Sequence, residues 1–361
     1  MIKSLRRAIF STTTIVLISS ATGAQQSAVR VQSPCSDEAT ITMADSLAAK
    51  FDDHQFIFIG STHGDRKIEE FLMCLVSRPS FAQRVTDIVE ERVSSAHQKM
   101  IDRYVLGLDQ IPPGDLSSIW FDTDGPTLWT TLPQVHRFLE TLRQVNGSLP
   151  PAKRLRLVGG NEGIDWSTVK VTEDLAPYPY KTNLIPHLLV EHLAKEPGNR
   201  TLVVYGDCHI HWKGRNFMGE LEGALGRGRM YVVGRIGEFV PAERAFLATV
   251  GNPDKPFFVA ADRFPATMDG PSSLRACGGE QSGSLADYMD AFVYLGPAPD
   301  QSLIGAIPLT ATQQAEVNRR TSIKADPQRT MRARFGGRER WFAAHPNDFV
   351  PRPKPSELRA Q

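Results

Sequence analysis

The sequence predicts an α/β protein built on a largely parallel central sheet with helices packed against it. Three observations carry this. Short unbroken apolar runs, such as Phe56-Ile-Phe-Ile59 and Thr201-Leu-Val-Val-Tyr205, read as strands buried on both faces. Segments with apolar residues at helical spacing alternate with them. The first four runs end in polar residues with chemical potential, which parallel strands place along one edge, where α/β sheets open their ligand crevice.

In chain order, Lys3, Arg6 and Arg7 precede a short, mostly apolar stretch from Ala8 to Ser20 and small residues at Ala21 to Ala24. This pattern predicts a secretory signal peptide over 1–24 and a secreted or periplasmic protein, with an uncleaved N-terminal anchor as the alternative. No later segment is apolar enough to span a bilayer, so no stable membrane span is expected after cleavage. The formal net charge of +1 over 361 residues offers no electrostatic case for nucleic acid or acidic membranes. Export permits disulfides. Cys35, Cys74, Cys208 and Cys277 form no CxxC pair. Either Cys35 bridges Cys74, or Cys74 is a small buried hydrophobe on a helix; the sequence leaves the connectivity open.

A polar segment over 25–39 leads to a helix from Thr40 to Phe51 and the strand Phe56 to Ile59. Gly60 allows a turn, and Ile68, Phe71, Leu72, Leu75 and Val76 mark an amphipathic helix beyond it. Val85 to Val89 is a second strand, followed by a helix over Ser95 to Leu106 and an excursion over Gly107 to Gly125 with Pro112-Pro113-Gly114. A helix over Val135 to Val145 precedes a third strand, Arg154 to Val158, and a helix over Leu184 to Lys195 precedes the fourth, Thr201 to Tyr205. Met218 to Leu225 reads as a helix, and Met230 to Val233, Phe257 to Val259 and Ala291 to Leu295 as strands, with a Gly/Ser/Pro-rich loop over 266–284. A helix from the N-cap Thr310 to Arg320 closes a single large domain over 40–324. The Arg- and Pro-rich remainder, 325–361, is expected to be a poorly ordered tail.

The strand ends supply the site. Gly60-Ser-Thr-His63 and Gly206-Asp-Cys-His209 repeat one pattern, Gly-x-x-His, directly after an apolar strand. Histidine serves as base, acid or metal ligand near neutral pH, and a neighbouring carboxylate orients it. Glu90 and Glu91 end the second strand, and alternation allows only one to face the site; Glu90 is favoured and Glu91 is its alternate. Asn161 and Glu162 follow Gly159 and Gly160, where backbone can approach a ligand closely. Ser61, Asp65, Arg66, Asp207 and His211 complete the ligand-contact set, and Asp165-Trp166 reads as a cap and a packing aromatic. Ser61 is outside any Gly-x-Ser-x-Gly elbow, and no phosphate loop, dinucleotide fingerprint or HExxH is present. Cys208, beside His209, is weighed as a nucleophile and set aside, since no feature around it lowers a thiol pKa.

These motifs resemble the broad superfamily that contains erythromycin esterases, ChaN-like haem-binding proteins and TraB/Tiki proteins. The middle of the chain is most similar to uncharacterised ChaN-like members, through Ile101-Asp-Arg-Tyr-Val-Leu-Gly107, Val145-Asn146, Leu149-Pro150, Arg154-Leu-Arg-Leu157, Ile164-Asp-Trp166 and Asp290 to Pro297. The resemblance covers roughly residues 50 to 300. It implies a three-layer fold with a polar crevice, and places His63, Glu90 and His209 at the matching positions. Its branches imply three chemistries: a histidine base acting on water, a metal-dependent peptidase, or haem binding without catalysis. Ser61 and Asn161 stand where many relatives carry acidic residues, which removes negative charge from the crevice and counts against a divalent metal.

Two functions of different class follow. The first is an exported hydrolase of an ester or amide, with a small-molecule or peptide substrate. There His63 is general base or metal ligand, Glu90 its partner, and His209 a second acid/base or ligand. The second is a non-catalytic protein binding haem or another small ligand; an inactive superfamily member is the third reading. A divalent metal or haem is the cofactor to test for.

Overall fold

The structure is a computed structural model that describes residues 35, 37–61, 65–125, 134–178, 181–213, 217–236, 241–264, 284–296, 309–334 and 350–359. These form one seven-stranded sheet in the order β3-β2-β4-β1-β5-β7-β6. The strands are β1 (Phe56–Ser61), β2 (Asp87–Ser94), β3 (Arg156–Asn161), β4 (Thr201–Gly206), β5 (Met230–Ile236), β6 (Phe257–Ala260) and β7 (Ala291–Tyr294). All neighbours pair in parallel except β6 with β7.

Helices cover both faces, and strand alternation decides which residues meet them. Ile57 and Ile59 of β1, Ile88 of β2, and Leu202 and Val204 of β4 join one apolar core. That core is closed by α1 (Glu38–Ala49), α2 (Arg66–Val76), α3 (Gln98–Val105) and α4 (Gln134–Gly147). Phe56, Phe58, Val89, Val203 and Tyr205 point the other way, against α5 (Lys181–His187), α6 (Met218–Leu225) and α7 (Pro241–Val250). Asp37 caps α1 by accepting from the Thr40 amide at 2.8 Å, and a disulfide joins Cys35 to Cys74 of α2. The open choice at Cys74 is thereby resolved: it is both buried and bridged.

The connections set the position of the crevice. The chain leaves β1 through α2 on one face toward β2, and leaves β4 through α6 on the other face toward β5. β1 and β4 are neighbours, with Ser61 level with Gly206, so their exits diverge between them. This is a topological switch point, where a parallel sheet opens.

Four regions differ in detail from the sequence expectation. β2 continues through Glu90-Glu91-Arg92 to Ser94, with a register shift between Glu90 and Ser94. The predicted helix over 184–195 is divided into α5, a π-turn over Leu188–His192 and a 3-10 turn over Leu193–Lys195; Pro186, which lacks an N–H, lies inside α5. α7 carries no expectation from the sequence. After α8 (Ala311–Ile323), capped by Thr310 as expected, the segment assigned to a tail forms α9 (Pro327–Arg334). α9 is held because Arg334 enters a buried acidic cluster at Glu162 and Asp124. Further on, the Val350 carbonyl accepts from Arg156 at 2.6 Å and Arg352 donates to the Thr86 carbonyl at 3.1 Å, stapling the starts of β2 and β3.

Candidate functional site

The candidate residues come from the ends of β1, β2, β4 and β5. Ser61 ends β1 and is nearly buried, and Asp65 caps α2 by accepting from the Lys67 amide at 3.1 Å. His63, Thr62 and Gly64 lie outside the described residues, so the first Gly-x-x-His motif is represented by the residues flanking its histidine. Gly60 has a role the sequence did not reveal. It stays inside β1, and a Cβ there would overlap Asp207 Oδ1. The missing side chain is the space that seats Asp207 against the neighbouring strand.

The two adjacent glutamates separate as strand alternation requires. Glu90 points to the α2 face, where Arg92 donates to it from Nε at 2.7 Å and from Nη2 at 3.1 Å. Arg92 also donates from Nη1 and Nη2 to Glu69 of α2. Burial raises the pKa of Glu69, aided by the nearby Glu90 and Asp65 charges, while Arg92 opposes the shift. Burial of Arg92 works against its charge, but the two carboxylates outweigh it and hold the guanidinium protonated. Glu91 points to the opposite face. Its Oε2 accepts from the Gly206 amide at 2.6 Å, and its Oε1 lies 3.8 Å from His209 Nε2. Of the two glutamates, the structure brings Glu91 to His209 and binds Glu90 into the Arg92 network.

His209 ends a 3-10 turn over Asp207–His209 and is a quarter exposed, while Glu91 beneath it is buried. Tyr205 stands edge-on to the imidazole, and its hydroxyl donates to the Gly160 carbonyl. His211 lies 5.9 Å from the Tyr288 ring, and burial lowers its pKa. Cys208 is disulfide-bonded, which removes it as a nucleophile; Cys277 lies outside the described residues. Arg66 pairs with Glu70 at 2.8 Å along α2.

Asn161 and Glu162 are both engaged in contacts within the protein. Asn161 Nδ2 donates to the Glu91 carbonyl at 3.0 Å, and its Oδ1 accepts from the Asp124 amide at 3.2 Å. An aspartate could not make both bonds, which explains an amide here. The glycines before it serve packing: a Cβ on Gly159 would meet the Ser95 backbone at 2.6 Å, and one on Gly160 the Glu90 carbonyl at 2.7 Å. Glu162 is buried with Arg334 and Asp124, and burial, reinforced by Asp124, pushes its pKa up to about 7. Asp165 accepts from the Ser167 amide at 3.0 Å, and Trp166 is buried and donates to the Thr123 carbonyl at 3.2 Å.

Sequence reasoning missed two features. His97 pairs with Asp122 at 3.0 Å beyond the end of β2. A cavity of about 470 Å³ lies beside this pair, lined by Asp122, Asp165, Trp166, Lys170 and Arg319 among others. Recognising that β2 runs to Ser94 would have drawn attention to His97. The second is Arg235 near the end of β5, almost wholly buried, with Nε 2.7 Å from Asp65 Oδ2. Its isolated position in an apolar strand was the available signal.

Among the described residues, no group of three or more His, Cys, Asp or Glu side chains is placed to hold a metal ion. A ligand set that includes His63 lies outside them. For haem, Tyr205 has its hydroxyl committed to Gly160 and His209 turns Nε2 toward Glu91, so these two side chains do not form a ready axial pair. No described helix is long and apolar enough to cross a membrane.

No family model matches the sequence, and no curated protein matches it significantly. Solved structures do show similarity. One is described as a succinoglycan biosynthesis protein, with a TM-score of 0.47 and 11% identity over 70% of this chain and 90% of that one. A Bacillus cereus protein gives a TM-score of 0.47 and 11% identity over 73% of this chain and 93% of that one. ChaN of Campylobacter jejuni, described with cofacial heme binding, gives a TM-score of 0.33 and 12% identity over 54% of this chain and 87% of that one. The likeness is too distant to transfer residue roles.

Proposed function

We propose that this protein is an exported hydrolase of an ester or amide bond, working at the crevice between the ends of β1 and β4. The observation that carries the reading is the Glu91–His209 pair. A buried carboxylate, fixed through one oxygen by the Gly206 amide, presents its other oxygen to a partly exposed imidazole. Such a carboxylate orients the ring and stabilises the imidazolium, the requirement for a histidine that takes a proton from water. Catalytic contacts are often long before substrate binds, and 3.8 Å between Glu91 Oε1 and His209 Nε2 is compatible with closure in the complex.

In this reading His209 removes a proton from water as the water oxygen attacks the substrate carbonyl carbon. It then returns the proton to the departing alcohol or amine. His63, flanked in the chain by the crevice residues Ser61 and Asp65, is the second imidazole assigned to acid/base work. Small-molecule esters and peptide amides are the substrates to test.

The test is a panel of p-nitrophenyl esters and peptide amides with the protein as purified. His209→Ala is expected to lower kcat by about 10²–10⁴-fold, the range of general acid–base contributions, without moving the melting temperature by more than a few degrees. Wild-type-like turnover by this variant would sink the assignment. A haem titration forms the second arm, because the ChaN similarity names that ligand for that protein. A saturable Soret band together with no turnover would replace hydrolysis by ligand binding.

A further inference from the structure

Arg235 is a buried charge that the Glu91–His209 pair does not explain. Its guanidinium is about 2% exposed, and neither Nε nor Nη2 has a hydrogen-bond acceptor although both are buried. Asp65 Oδ2 is only 2.7 Å from Nε, but the N–H is not directed along that line, so the contact is an ion pair without a hydrogen bond. Burial lowers the pKa of Arg235, and the charges of Asp65 and Asp207 work to keep it protonated. A buried donor without an acceptor is costly, and a planar fork of such donors is suited to an oxygen that carries or develops negative charge.

Its position matches the crevice. Val233 is level with Ile59, the last pair of the β1–β5 ladder, and Arg235 follows two residues beyond it, toward the end at which β1 finishes in Ser61. Asp65, its ion-pair partner, caps the helix that leaves β1. Asp207, the other carboxylate acting on it, begins the turn that carries His209. Arg235 therefore lies at the same end of the sheet as the proposed acid/base pair, on β5 beside the start of α2, while Glu91 comes from β2.

We propose that Arg235 is the oxyanion-binding residue of this crevice: its unbonded N–H donors receive the carbonyl oxygen of the scissile ester or amide. The inference rests on the hydrolase reading. As the water oxygen bonds to the carbonyl carbon, the C=O π pair moves onto oxygen, and His209 holds the proton removed from water. The resulting oxyanion lies against the Arg235 guanidinium. When the C=O bond re-forms, the C–O or C–N bond to the leaving group breaks, and that group takes the proton from His209. No other reactant is needed.

Donors preorganised toward an oxyanion act on the transition state more than on the bound substrate, so kcat should respond rather than KM. With p-nitrophenyl butyrate, Arg235→Gln is expected to lower kcat by about 10²–10³-fold with KM within about threefold. Arg235→Lys keeps the charge without the fork and should fall between Gln and wild type. Added guanidinium chloride at millimolar concentration should restore part of the activity of Arg235→Ala, which a misfolded variant would not show. Unchanged kcat in folded Arg235→Lys and Arg235→Gln, or a change confined to KM, overturns the role. If the wild type turns over none of the panel, inorganic phosphate separates the two readings. Calorimetric binding to wild type but not to Arg235→Lys retains Arg235 as an anion site while the hydrolase reading fails. No phosphate binding to wild type removes both.

Discussion

Two buried arginines, Arg92 on β2 and Arg235 on β5, make opposite use of the same chemistry. Arg92 donates from Nε, Nη1 and Nη2 to Glu69 and Glu90, a closed network joining the sheet to α2. Arg235 lies against Asp65, with two buried nitrogens that have no acceptor. A fully satisfied ionic cluster rigidifies the fold, whereas a partly satisfied one is where an arriving ligand can gain most. Burial alone does not separate the two sites; the hydrogen-bond account does.

The largest effect expected on this contrast comes from opening the closed network. Arg92→Ala leaves Glu69 and Glu90 buried without a counter-charge and should destabilise the fold by about 3–5 kcal/mol in urea denaturation. Replacing all three residues with apolar ones of similar volume should recover much of that loss, because the pair's desolvation cost disappears as well. A loss below about 1 kcal/mol for Arg92→Ala alone would mean that the network is not structural.

A smaller effect is expected at Gly60. An alanine there overlaps Asp207 Oδ1 and must push the carboxylate away from β1, at about 1–3 kcal/mol of stability. Combining Gly60→Ala with Asp207→Gly should cost less than the two single changes added together. Strict additivity would show that the two residues do not share this space.

The smallest effect is a pH dependence at the far edge of the sheet. Glu162 has its pKa raised from an ordinary 4.5 to about 7, chiefly by burial. Folding therefore favours the protonated acid, and the associated stabilisation is complete below about pH 4.5 and lost as pH rises through 7. Compared with Glu162→Gln, the wild type should lose a few degrees more in melting temperature between pH 5 and pH 8. Equal slopes for the two proteins would show that Glu162 does not titrate in this window.

The strands were legible because parallel β-sheet buries both faces, and runs such as Phe56 to Ile59 have no other economical placement. That Ser61 and Gly206 end neighbouring parallel strands at one level followed from strand order and direction. The choice between Glu90 and Glu91 did not, because alternation states that adjacent side chains diverge without stating which face holds α2. The same limit hid Arg334. It meets Glu162 across 172 residues of chain, and an Arg-rich segment without apolar periodicity gives no local sign of a buried partner.

By itself, the sequence determined the alternating α/β plan and the location of each principal strand, while β2, β3 and β5 run further than the apolar runs indicated. Local propensity and apolar patterning are sufficient for that. Tertiary structure alone decided which partners the polar residues at the strand ends meet. Glu91 faces His209, Glu90 is closed into Arg92, and Arg235 retains donors without acceptors. The reason is physical: the state of a buried charge depends on the partners that folding brings within a few ångströms, and those partners come from distant parts of the chain.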